Sequence, residues 1–175
     1  MAVGAISNYQ GYQIETVENG HQRLVKVYND TGAAVANGKI YHLAFAVDAT
    51  DTANPIFRPY LLAPATQATE SNLVVVVDNS YAGKASIANL EYGYACISGV
   101  VKAFCDGTSA DIAVGDQLEV LNTGTAFIVA AAATAGKSGA LVPESAAIAL
   151  EAHTPNAEAL KSVLLIGRQC QIKAT

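Results

Sequence analysis

Apolar residues along this chain come in short runs separated by turn residues. From Arg23 to Tyr28 apolar and polar positions alternate, with Val25 and Val27 on one face. In Lys39–Val47, Tyr41, Leu43, Phe45 and Val47 share a face. A period of two predicts strands with one buried side. Leu73–Val77 reads LVVVV, apolar throughout and β-branched, which predicts a strand covered on both sides. Tyr94–Cys105 is long, and Ser98-Gly99 in its middle predicts a bulge or bend. Gln117–Leu121 and Ala126–Ala131, split by Asn122-Thr123-Gly124, predict a hairpin. Ala146–Ala152 and Val163–Lys173 complete the strand candidates. Helical signals are few. Asn156–Lys161, after Pro155, predicts one short helical turn, and Ala130–Ala135 reads as a strand running into a loop despite its helical propensity. Asn19-Gly20, Asn37-Gly38 and Asp106-Gly107 supply turn chemistry between the runs. The pattern predicts an all-β protein, a small β-barrel or sandwich with little helix.

Two stretches repeat each other. Residues 27–41 read VYNDTGAAVANGKIY and residues 104–118 read FCDGTSADIAVGDQL. Thr31 matches Thr108, Ala33 matches Ala110, Val35 matches Ile112, Ala36 matches Ala113 and Gly38 matches Gly115. Each matched position has a mechanical use. The leading Asn or Asp bonds its own backbone two residues on. Val35 and Ile112 anchor a small-residue crossing, and the Gly supplies a φ other residues resist. Two related strand–turn–strand units, about 77 residues apart, are therefore expected in one barrel.

Composition narrows the classes. Of the 175 residues 51% are hydrophobic, yet there is no Trp and only four Phe. About a fifth are Ala, well above ordinary usage. Small side chains bury little area each, so contacts with other copies or a larger surface are expected to add stability. The net charge is −5 with 14% charged residues, which argues against nucleic-acid partners. No basic run suits an anionic membrane, and no apolar run is long enough for a spanning helix. The first residues carry no basic start or apolar core, so synthesis and folding in cytoplasm are expected. Cys96 and Cys105, at odd spacing in one strand, are expected on opposite faces, and with Cys170 they read as free thiols.

Candidate chemistry is sparse. AAATAGKS at 131–138 nearly spells a phosphate loop, but Ala131 stands at the first Gly and no helix follows. His21, His42 and His153 lie far apart without metal-ligand spacing, and there is no G-x-S-x-G elbow. No catalytic residue, metal or cofactor is expected. A site assembled from distant loops, as in a small hydrolase-like β-enzyme, stays open as an alternative.

Three features suggest contact. Residues 48–72 are rich in Pro, Ala, Thr and Asn and read as a long loop carrying Phe57, Arg58 and Tyr60. Those side chains either meet a partner or tuck onto the barrel. Residues 1–19, with Tyr9 and Tyr12, read as an arm or an edge strand ahead of a single barrel domain at 20–175. Arg168 shares a face with Leu164, Ile166, Cys170 and Ile172 and needs an anionic partner, within the barrel or across a subunit interface.

The pattern Asn/Asp-x-Thr-x-Ala-x-Val/Ile-Ala-x-Gly and the ending SAAIALEAHTPNAEALKSVLLIGRQCQI resemble the small β-barrel decoration, or cement, proteins of tailed-bacteriophage heads. The resemblance covers Leu24–Val47 and Val100–Ile172. It implies a protein made in the host cytoplasm that mounts on the capsid exterior, often as a homotrimer. Its partner is then the major capsid protein, and it braces neighbouring capsomers. On that reading Tyr9, Tyr12, Phe57, Arg58 and Tyr60 contact the capsid and Arg168 faces another subunit. A fibre or tail component is the alternative within the same class.

Overall fold

The computed structural model describes residues 3–5, 15–47, 57–62, 73–108, 110–120, 125–130, 146–154 and 157–166. They form an all-β protein. The strands are β1 (Val3–Ala5), β2 (Glu15–Asn19), β3 (Gln22–Tyr28), β4 (Val35–Ala36), β5 (Ile40–Val47), β6 (Phe57–Leu62) and β7 (Val74–Val77). Then come β8 (Ser86–Ile87), β9 (Tyr92–Asp106), β10 (Gln117–Val120), β11 (Phe127–Val129), β12 (Ala147–Ala149) and β13 (Glu158–Leu165). A 3-10 turn, Asn79–Ala82, follows β7.

Strand β9 organises the molecule. Its first half pairs with β3 and β7, and with β5 and β6 these strands close a five-stranded barrel. Its second half pairs with β13 and β11, and the circuit β9–β11–β10–β12–β13 closes a second time. At the midpoint the register with β3 slips, so that Leu24 faces Cys96 while Arg23 faces Ser98. Gly99 follows with φ of +101°. A Cβ at Gly99 would sit 1.8 Å from the His21 carbonyl oxygen, so only glycine lets the strand pass from one barrel to the next.

The two circuits are copies. β3 runs antiparallel to β9 as β9 does to β13, and β5 pairs with β6 and β7 as β10 pairs with β11 and β12. Even the parallel joint recurs, β3 with β6 and β9 with β11. Small closures match too. Val35 bridges Ile87 and Ile112 bridges His153. The Gly38 N–H donates to Val77 O at 2.8 Å, and the Gly115 N–H donates to Ala149 O at 2.8 Å. The repeat read from the turns is therefore a whole barrel, larger than a strand–turn–strand unit. In the strand before the turn the match moves by one residue. Val25 opposite Ala95 corresponds to Val101 opposite Val163, and Cys105 is extra in the second copy.

Two apolar cores follow. Val25, Val27, Leu43, Leu61, Val75, Val77 and Ala95 fill the first barrel, closed by Val35 and Ile87. Val101, Ala103, Leu118, Phe127, Ala147, Ala149, Val163 and Leu165 fill the second. That second cluster also takes in Leu24, Ile40, Val74, Val76 and Cys96 from the outside of the first barrel. The LVVVV strand is thus buried on both sides, with Val75 and Val77 in one core and Val74 and Val76 in the other.

Several expectations need correction. The slip in β9 reverses side-chain parity, so Cys96 and Cys105 join one core rather than opposite faces. Both remain free thiols. Residues Glu158–Lys161 begin β13 and are not helical. Their helix-favouring side chains yield to eight register pairs with β9. The span read as a loop at 48–72 contains β6, paired with β5 from His42–Leu62 to Val47–Phe57. The span 1–19, read as an arm or an edge strand, holds β1 paired with β2 and β2 paired with β3, an edge of the sheet.

Candidate contact surface

The first barrel carries an aromatic row on its outside. The rings of Tyr60 in β6 and Tyr28 in β3 meet edge to face, 5.6 Å between centroids. Tyr28 and Tyr92 in β9 lie 5.1 Å apart at 56°. The Lys26 ammonium sits 5.7 Å from the Tyr92 centroid, within cation–π range. Such rings give large, rigid contact area with polar hydroxyl tips. Tyr92 is 43% exposed, and Leu90, two residues before it, is 59% exposed.

Leu90 has φ of +60°, the sole non-glycine with positive φ among the described residues. A left-handed backbone costs a residue with a Cβ about 1–2 kcal/mol. Asn29 and its neighbours impose it. The Leu90 N–H donates to Asn29 O at 2.7 Å and the Asn29 N–H to Glu91 O at 3.0 Å. The buried Asn29 side chain donates through Nδ2 to Ala33 O (2.8 Å) and Ile87 O (2.9 Å). Its Oδ1 accepts from the Thr31 N–H and hydroxyl. This is the side-chain turn read from the sequence, and Asp106 repeats it by accepting from the Thr108 N–H at 2.8 Å. The turn thereby presents a strained leucine to solvent.

Of the residues expected at contacts, Tyr60 lies in this row. Phe57 and Arg58 open β6, opposite Val47 and Ala46 of β5. Tyr9, Tyr12 and Arg168 lie outside the described residues, as does the AAATAGKS segment. Tyr28, Tyr92 and Leu90 are not apparent in the sequence as one surface, because they come from separate stretches. The available signal is a tyrosine at a strand end, Tyr28 closing β3 and Tyr92 opening β9.

Titratable groups are scattered. His21 is exposed between β2 and β3, His42 is buried within β5, and His153 Nε2 lies 2.6 Å from Ala157 O, so Nε2 carries the proton. Burial pushes the Cys96 thiol up to about 12 and the Cys105 thiol to about 11, disfavouring thiolate at both. Among the described residues no group of three or more His, Cys, Asp or Glu converges on a metal position, and no helix is long and apolar enough to cross a membrane.

Comparison of the chain with protein-family models, curated proteins and solved structures finds no match.

Proposed function

We propose that the protein is a structural component of a tailed-phage head, seated on the capsid exterior, where it braces neighbouring capsomers. Its partners are the major capsid protein and further copies of itself, as a homotrimer. The observation that carries this reading is Leu90. A glycine would relieve its backbone, yet a leucine stands there, exposed two residues before Tyr92 of the aromatic row. Strain held in place at an exposed apolar side chain fits a contact function. The two-barrel body and the phage-like turn pattern support the same reading. A specific contact buries about 1,200–2,000 Å² in total. Many copies on one shell then stabilise it through multivalency even when each binds modestly.

The experiment is occupancy on purified heads, read by co-sedimentation, with Leu90→Gly and Tyr92→Ser. Leu90→Gly is expected to raise folding stability by up to about 1 kcal/mol, because glycine accepts this φ, while lowering occupancy. Opposite signs separate contact from folding. Heads lacking the protein are expected to assemble but rupture at lower temperature or under osmotic shock. Heads equally robust without it, or variants with unchanged occupancy, would sink the proposal.

A further inference from the structure

The two barrels expose one equivalent row of side chains to different degrees. In the first unit the row crosses four strands as register partners: Ile40 in β5, Val76 in β7, Cys96 in β9 and Leu24 in β3. All four are fully buried, because they join the core of the second barrel. The same row in the second unit is Gln117 in β10, Ile148 in β12, Leu164 in β13 and Val100 in β9, again register partners throughout. Here Val100 is 38% and Leu164 36% exposed, and Gln117 and Ile148 are half-buried. Leu160, on the same face of β13, is 48% exposed.

We propose that this row is an interface between copies of the chain. The first unit of one copy packs on the second unit of its neighbour, as the second unit packs on the first within each chain. The occupant is argued from the repeat itself. Three of the four positions keep the apolar character that one unit of this chain covers in the other. Its one polar member, Gln117, stands at the end of the row, where an interface rim is polar. The nearby Lys102 pairs with Glu151 at 2.7 Å, so a neutral apolar partner suits the face better than a strongly charged one. The contact joins unlike faces, second unit to first. Heterologous contacts of this kind close into rings, threefold ones included, or run on as filaments. The interface goes beyond capsid attachment, and its test contains no capsid.

The test is sedimentation of the purified full chain across a range of concentrations, with two variants. The wild-type chain is expected to associate. The double variant Val100→Lys/Leu164→Lys, at exposed positions, is expected to remain folded and to need roughly tenfold or more higher concentration to associate. Gln117→Ile, which restores the residue type of Ile40, is expected to associate more tightly. A monomeric wild type over the whole range overturns the proposal, as does a folded lysine variant that associates like the wild type. Where the lysine variant fails to fold, Gln117→Ile decides, and unchanged association overturns the proposal.

Discussion

Glu151 shows how much one surface side chain organises. Its carboxylate accepts from Lys102 Nζ and from the Ser162 hydroxyl, each at 2.7 Å, tying the β12–β13 connection to β9. These bonds, Lys102 first and Ser162 next, hold its pKa down from 4.5 to about 2. A carboxyl depressed in the folded state stabilises fully above its ordinary pKa and loses that contribution as pH falls toward the folded value. The thermal stability of the wild type should therefore fall, relative to Glu151→Gln, as the pH drops from about 4.5 to about 2. Solvent screening keeps the difference small. Parallel curves for the two proteins over that window would contradict the assignment. At this scale the sequence disclosed turn residues better than contacts. Asn29 and Asp106 were readable because their partners lie two residues on. Tyr28 and Tyr92 were not, because only tertiary pairing brings them together. The Glu151 pairings were hidden for the same reason.

Strands were legible where one local rule governed them. LVVVV announced a doubly covered strand, and Ser98-Gly99 announced the irregularity in β9. What the slip does to side-chain parity depends on pairing with β3, so the placement of both cysteines was missed. Composition points to turn at Glu158–Lys161 and to loop at Phe57–Leu62, while pairing with β9 and β5 decides otherwise. Gly99 offers the sharpest test at this scale. In Gly99→Ala the new Cβ meets both an unfavourable φ and backbone of His21 and Gln22. Gly115, at φ of +92°, has nothing within 4 Å of a built Cβ. Gly115→Ala should cost about 1 kcal/mol, from backbone strain alone, and Gly99→Ala about 3 kcal/mol or more. Denaturant unfolding of both variants checks the order. Equal losses would mean that β9 bends without the close approach.

The whole molecule is a barrel written twice, with one strand belonging to both copies. The sequence revealed the duplication through its turns alone, since those positions need particular residues, whereas strand positions accept many apolar ones. The barrels share β9 and a core that spans them. Heat should therefore unfold them together, with equal calorimetric and van't Hoff enthalpies. Two separable transitions would show that each barrel stands alone. The shared strand also has a mechanical consequence. A pull that enters through one barrel and leaves through the other passes along the covalent backbone of β9. Its ladders with β3 and β13 are antiparallel, with hydrogen bonds perpendicular to the strand. Tension along β9 loads those bonds in shear, many at once, instead of opening them one by one like a zipper. Along the line that joins its two halves, β9 therefore acts as a tie rod held by two sheared ladders.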